Sequence, residues 1–148
     1  MLRYKDGYVS DITYTKGYFE ALNPLKAKLV FLQQDQMFPK IGNACELGFG
    51  QGISVNFHAA GSQTNWYGTD LLEAHADYAR NLGSESNASL KLFDESIEAF
   101  CAREDLPDFD FIGLHGVWSW ISSQNRGLIV RFLQKRLRPG GVLYVSYN

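Results

Sequence analysis

Glu46-Leu47-Gly48-Phe49-Gly50-Gln51-Gly52 decides how this 148-residue chain reads. The mostly apolar residues 41–47 lead straight into three glycines at alternate positions, and a helical pattern starts at Ile53. That order spells a strand, a tight turn and a helix. Glycine at such a turn lets the backbone approach a ligand where a Cβ would clash. The following helix offers free N–H groups and the positive end of its dipole. A dinucleotide loop reads G-x-G-x-x-G. Here the third glycine comes one residue early, and a carboxylate, Glu46, stands two residues before the first. A carboxylate beside the loop suits a cationic ligand and suits a pyrophosphate poorly.

The same alternation runs outward in both directions. Upstream, Asn23-Pro24 reads as an N-cap followed by proline at the first helical position. Leu25, Leu29 and Leu32 at i, i+4 and i+7, with Lys26 and Lys28 opposite, predict an amphipathic helix to about Gln33. Downstream, a helix should present Ile53, Phe57 and Ala60 on one face and stop at Gly61. A second strand over 66–69 ends at Asp70, and a helix over 73–82 is closed by Gly83. A third strand over 89–93 ends at Asp94, and a short helix follows over 97–102. Residues 109–114 read as a fourth strand, followed by His115-Gly116. Ser122 or Ser123 caps the next helix, with Leu128, Ile129, Phe132, Leu133 and Leu137 as its stripe. Arg138-Pro139-Gly140-Gly141 should end it before a fifth strand over 142–147. Strands alternating with short helices predict βαβ units, right-handed crossovers and a mostly parallel sheet. Ligands in such sheets sit beyond the carboxyl ends of the strands, here residues 46–52, 70–71, 94–96 and 115–120.

Composition removes several classes. A formal net charge of −2 leaves no basic surplus for a nucleic-acid backbone. No run approaches the ~18 apolar residues of a membrane span, and residues 1–14 lack an apolar signal core. Two cysteines are too few for a disulfide framework or a cysteine-rich zinc site, and no metal site is read. A cytoplasmic protein that binds neither membrane nor nucleic acid is expected.

Three carboxylates fall at the ends of three consecutive strands. Asp70, 24 residues after Glu46, can accept both hydroxyls of a ribose, with Leu71 offering an apolar face to a purine. Asp94 can accept from an adenine amino group, with Glu95 or Ser96 adding a contact. This ordered set resembles the class I S-adenosylmethionine-dependent methyltransferases over residues 41–148. Residues 46–52 match the loop that wraps the cofactor's methionine part and ribose, Asp70 the ribose acid, and Asp94 the adenine acid. Phe109-Asp110-Phe111-Ile112 matches the motif IV strand, and Leu137-Arg138-Pro139-Gly140-Gly141 the turn introducing the fifth strand. ELGFGQG, YGTD and HG-W-SWI also resemble a bacterial subset often joined to a methyltransferase regulatory domain.

The resemblance implies a Rossmann-like three-layer α/β sandwich with strand order 3-2-1-4-5, and S-adenosylmethionine as cofactor. The implied cofactor set is Glu46, Gly48, Phe49, Gly50, Gln51, Gly52, Asp70, Leu71, Asp94, Glu95, Ser96 and His115. Residues 1–40 form an N-terminal cap segment and helix, and residues 41–148 the core. The family's usual sixth and seventh strands are missing, so strand 142–147 is an exposed apolar edge. Either that edge pairs with a second copy, or the chain is a piece of a longer protein.

Methyl transfer from a sulfonium is an in-line displacement, so alignment and exclusion of water matter most. A general base is optional. His115, at the end of the fourth strand, can deprotonate or orient the acceptor, or else shape the loop with Gly116. His58 and His75 sit in helices and read as surface or boundary residues. Trp118 can wall the acceptor pocket, whereas Trp120 reads as core. Tyr8, Tyr14 and Tyr18 are candidates for a flap over the cofactor, or for plain packing. Cys45 reads as a small buried hydrophobe. The acceptor is a small molecule, a saccharide or a protein side chain. Two rival functions stand beside this one: a module binding S-adenosylmethionine or S-adenosylhomocysteine without turnover, and an NAD-dependent oxidoreductase. The early third glycine and the absence of a hydride-chemistry set argue against the oxidoreductase.

Overall fold

The computed structural model describes residues 4–5, 8–9 and 16–147. Its elements run β1 (Tyr4–Lys5), β2 (Tyr8–Val9), α1 (Pro24–Gln33), β3 (Asn43–Leu47), α2 (Ile53–Ala60) and β4 (Asn65–Thr69). They continue α3 (Glu73–Ser84), β5 (Leu90–Phe93), α4 (Ile97–Ala102), β6 (Phe109–Leu114), α5 (Ser123–Arg136) and β7 (Leu137–Val145). The strands β3 to β7 pair in parallel in the order β5-β4-β3-β6-β7. Counted within this sheet, that is the expected 3-2-1-4-5. Alternation along the central strands feeds two cores. Cys45, Leu47, Ile112 and Leu114 pack with Ile97, Phe100, Ile129 and Phe132 on one face. Ala44 and Phe111 pack with Val55, Ala76 and Ala79 on the other. All six residues of β6 are buried, as a strand covered on both faces requires. Among the described residues, no helix is long and apolar enough to cross a membrane.

The caps behave as local chemistry dictates. Asn23 Oδ1 accepts the Leu25 N–H at 3.0 Å, Ser96 Oγ that of Ala99 at 3.1 Å, and Ser122 Oγ that of Asn125 at 3.2 Å. Helix faces are where the sequence reading fails. Leu25, Leu29 and Leu32 are not a core stripe but are 65%, 57% and 57% exposed. The helix α1 carries apolar residues almost all round, and it packs instead through Ala27 and through Phe31, whose ring lies 5.2 Å from that of Phe38. The expected face of α2 is also wrong. Phe57 is 62% exposed, while Ser54, Val55, Asn56, His58 and Ala59 are buried. Two of its inward polar side chains, Ser54 and Asn56, are bonded, which helps make that phase tolerable, whereas both ring nitrogens of His58 lack a partner. Ser54 Oγ accepts the Phe19 N–H at 2.7 Å, and Asn56 Nδ2 donates to the carbonyls of Gly52 and Ala79 at 2.8 and 3.0 Å. His58 is therefore interior, not surface. Trp120 lies in a 3-10 turn and is 36% exposed, not core.

The segment Arg138-Pro139-Gly140-Gly141 is not a turn between helix and strand. The strand β7 starts at Leu137, directly after α5, and Leu137 pairs with Phe109. Phe111 then pairs with Val142, so the intervening residues bulge from the edge. Asp110 fastens this irregularity. Its Oδ2 accepts the N–H groups of Gly42 and Asn43 at 2.8 and 2.9 Å, and its Oδ1 accepts from Arg138 at 2.9 Å. Burial pushes the Asp110 pKa up, but the bonds from Asn43, Gly42 and Arg138 outweigh it and hold it below the ordinary carboxylate value. The carboxylate's contribution is thus present above the unfolded pKa and lost as pH falls through the lowered one. Asp110→Ala leaves two backbone donors and a guanidinium without their acceptor, and should destabilise the domain by about 2–4 kcal/mol. Urea unfolding at pH 7 measures this, and the difference from wild type should shrink below about pH 4.

Candidate cofactor-binding site

Every residue expected at the site lies on one of the connections leaving the carboxyl ends of β3, β4, β5 and β6, apart from Glu46 inside β3 and the tyrosines of the N-terminal segment. Glu46 is the most unusual of them. In register it stands between Gly68 of β4 and Gly113 of β6. Neither glycine has a side chain to crowd it, and the vacated space is taken by Phe49 over Gly68 and Leu22 over Gly113. Glu46 is 3% exposed in this apolar enclosure, and its Oε2 has no hydrogen-bond partner among the described residues. Burial, with a smaller push from Asp70, lifts its pKa to about 8. The isolated carboxyl is thus held as the neutral acid at pH 7, although a cation brought to it would favour the ionised form.

The loop is tied back to the end of β4. The N–H groups of Gly48 and Phe49 donate to Thr69 O at 2.8 and 3.3 Å, and that of Gly50 to Asp70 Oδ2 at 2.9 Å. Gly50 and Gly52 have φ of +57° and +70°, in the region that disfavours a Cβ. Their surroundings differ. A Cβ on Gly52 would overlap that of Ala79 on α3, whereas one on Gly50 would meet nothing within 4 Å. Gly52 permits helix-to-helix approach, and Gly50 leaves room above the loop. Phe49 is 5% exposed and belongs to the core. Gln51 has a buried, unpartnered Oε1.

Asp70 is held from two sides. Besides Gly50, it accepts the Leu72 N–H at 3.1 Å and faces His75 Nδ1 at 3.3 Å, both through Oδ1. Burial raises its pKa, against the opposing pull of Leu72, Gly50 and His75. With three donors taken, about one of a carboxylate's four acceptor positions stays open, fewer than the two hydroxyl contacts expected for it. Leu71 is half-buried beside it. On the next connection, Asp94 is exposed and pairs loosely with Arg80 at 3.5 Å. Glu95 is better placed, with Oε1 on Arg103 at 2.6 Å and a buried, unpartnered Oε2. Thr69 Oγ1 donates to Glu95 O at 2.6 Å and joins the two connections. Ser96 is occupied as the cap of α4.

On the far side, His115 Nδ1 lies 3.2 Å from Tyr144 Oη, and the Phe19 ring lies 4.3 Å from the imidazole. Burial lowers the His115 pKa, so the ring is neutral at pH 7. Gly116 N–H donates to Ser146 Oγ at 2.8 Å, which clamps the ends of β6 and β7. Trp118 packs at the margin of the core under Arg126. Tyr18 stands over α2, edge-on to Phe57 and His58, and not over the loop. Tyr14 lies outside the described residues, and only the backbone of Tyr8 is described, in β2. His75, Tyr144, Phe19 and Leu22 were not legible as site neighbours, because no local pattern marks a contact made across elements. Among the described residues, no three His, Cys, Asp or Glu side chains converge as a metal site.

The family model described as "Methyltransferase domain" matches residues 45–145. The chain belongs to this methyltransferase domain family. The match takes in the loop, the three strand-end acids and the bulged β7. A Synechocystis protein, sll1526, is 38% identical over 99% of this chain and 30% of its own length. Rickettsia prowazekii RP028 is 29% identical over 70% of this chain and 41% of its own. The methyltransferase domain described here thus spans well under half the length of these relatives. Among solved structures, PKMT2 from Rickettsia typhi in complex with AdoHcy superposes with a TM-score of 0.79 at 26% identity, over 91% of this chain and 26% of that one. A S-adenosylmethionine-dependent methyltransferase from Thiobacillus denitrificans, in complex with S-adenosylhomocysteine, has the same fold (TM-score 0.60, 19% identity, 90% of this chain and 50% of that one).

Proposed function

We propose that this methyltransferase domain binds S-adenosylmethionine above its glycine loop and presents it to an acceptor beside His115. The carrying observation is the buried, unpartnered Glu46 carboxyl next to the open space at Gly50. A buried acid with no partner fits the cofactor's cationic amino group, which would offset the cost of burying the carboxylate. The buried oxygens of Gln51 and Glu95 fit the same reading, since each lacks a donor that a bound ligand can supply. When bound, S-adenosylmethionine supplies an electrophilic methyl group on a sulfonium. Glu46 would neutralise the amino group, Asp70 hold the ribose with its open acceptor position, and Glu95 rather than Asp94 meet the adenine edge. His115, neutral and partnered at Nδ1 by Tyr144, would orient or deprotonate the acceptor from its other nitrogen. Residues 1–40 act as a cap and residues 41–148 as the core. Two unpaired cysteines are in keeping with a cytoplasmic protein.

Calorimetry with S-adenosylhomocysteine and NAD tests the reading. S-Adenosylhomocysteine should bind and NAD should not; NAD binding alone would overturn it. Asp70→Ala should weaken S-adenosylhomocysteine binding by about 1–3 kcal/mol through lost charged hydrogen bonds. Unchanged affinity would remove Asp70 from the site.

A further inference from the structure

Among the described residues, seven buried side-chain polar atoms lack a hydrogen-bond partner, and all but Asn56 Oδ1, which lies against Gly83, fall into two groups. Those of Glu46, Gln51 and Glu95 ring the cofactor cleft. Three more, His58 Nδ1, His58 Nε2 and Trp66 Nε1, lie together at a second place. There a cavity of about 360 Å³ opens between the first turn of α1, the last turn of α2 and the amino ends of β3 and β4. The cofactor cleft lies beyond the carboxyl ends of the same strands, roughly 16 Å of β-strand away. The second cavity is therefore separate from it. Its volume falls within the range of small-molecule pockets.

The chemistry of its wall is one-sided. Phe38 and Phe57 supply apolar surface, Lys28 and Lys40 line it and are exposed, and among the described residues no Asp or Glu lines it. His58 stands between the rings of Tyr18 and Trp66, with centroids 5.3 and 5.4 Å away. Burial lowers its pKa to about 4, so at pH 7 it is neutral, with one donor and one acceptor nitrogen. Trp66, 1% exposed, adds an indole donor. Leaving such groups unpaired costs the full desolvation of each. All three atoms are closed off from solvent, so a ligand in the cavity recovers that cost by a small rotation of the two rings toward it.

We propose that this cavity is a second binding site, for a small organic carboxylate with an apolar body and a hydrogen-bonding group at its far end. The carboxylate sits between Lys28 and Lys40, the body against Phe38 and Phe57, and the inner group meets His58 and Trp66. None of the side chains named as holding the cofactor lines this cavity, so the second site is independent of them.

Titrations of 4-hydroxybenzoate and indole-3-acetate, each beside its primary amide, followed by ¹H–¹⁵N correlation spectra, provide the test. The three tryptophans give three indole signals, and Trp118→Phe and Trp120→Phe assign that of Trp66. At least one carboxylate should shift the Trp66 indole signal saturably below roughly 10 mM and bind more tightly than its amide. The doubly charge-reversed variant Lys28→Glu, Lys40→Glu changes only exposed side chains. It should bind that carboxylate about tenfold or more weakly, while S-adenosylhomocysteine still shifts the Gly50 and Gly52 amides as in wild type. The proposal is overturned if neither carboxylate moves the Trp66 signal, if the amides bind equally well, or if charge reversal leaves the affinity unchanged.

Discussion

Gly52→Ala is expected to destabilise the domain by about 2–5 kcal/mol, the sum of a left-handed alanine and a forced overlap in a packed core. The overlap is with the Ala79 Cβ on α3, and Gly52 O is also the acceptor for Asn56 Nδ2. Neither neighbour is the free end of a flexible side chain. Against a total stability of roughly 5–15 kcal/mol, that loss would leave much of the protein unfolded at 37 °C. Gly50→Ala is the matched control. Its φ of +57° carries a similar backbone cost of about 1–2 kcal/mol, but its Cβ meets nothing within 4 Å. That variant should fold, with a modestly lowered urea midpoint, and lose S-adenosylhomocysteine affinity by about tenfold or more, since the methyl enters the space proposed for the ligand. A Gly50→Ala protein that binds as tightly as wild type would show that the space above the loop is not the cofactor's.

Glu46→Gln is expected to stabilise the free protein and impair cofactor binding, a reversal of the usual outcome for a buried charged residue. The carboxyl holds its proton to about pH 8 in the fold but only to about 4.5 when unfolded. Between those values the folded state binds more protons, so stability falls as pH rises. The variant removes that penalty, on the order of a few kcal/mol at pH 8 and little at pH 5. Melting temperatures of variant and wild type should therefore diverge upward with pH. Cofactor binding carries the opposite sign. A cationic amino group against Glu46 lowers its pKa, so binding at pH 7 should release close to one proton, read by calorimetry in buffers of different ionisation enthalpy. Glu46→Gln should abolish the release and weaken binding. A wild-type protein that binds S-adenosylhomocysteine with no proton release would place the amino group elsewhere.

The order of elements was legible because it is written in local chemistry. Alternating strands and helices, the Asn23 and Ser122 caps and the Gly61 stop each act within a few residues, whereas Gly83 lies inside α3 and does not close it. The sheet order was implied by the motifs' resemblance to a known family. The four connections that carry the site could be located from the local pattern. The chemical state of the site could not. Glu46 was visible as a carboxylate, but its enclosure depends on Gly68, Gly113 and Leu22 arriving from three other segments, with Phe49 of its own loop folded back over Gly68. Asp70 was visible as a strand-end acid, but not the loop amide and imidazole that occupy it.

Helix phase shows where the boundary falls. Polarity placed Phe57 inward and His58 outward, and the fold does the reverse. Packing against Ala76 and Ala79 favours a small-footprint face, and hydrogen bonds with Gly52 O, Ala79 O and Phe19 N–H make Ser54 and Asn56 acceptable there. The bulged start of β7 has the same origin, since Asp110 holds the residues that local propensity assigned to a turn. By itself, then, the sequence determined the alternation of strands and helices and the ends of strands at which a ligand must sit, as consequences of short-range pattern. The family and the sheet order came with the resemblance of its ordered motifs to known methyltransferases. Only the tertiary structure decided which groups are buried without partners, because desolvation depends on every segment that closes over a side chain and not on its neighbours along the chain.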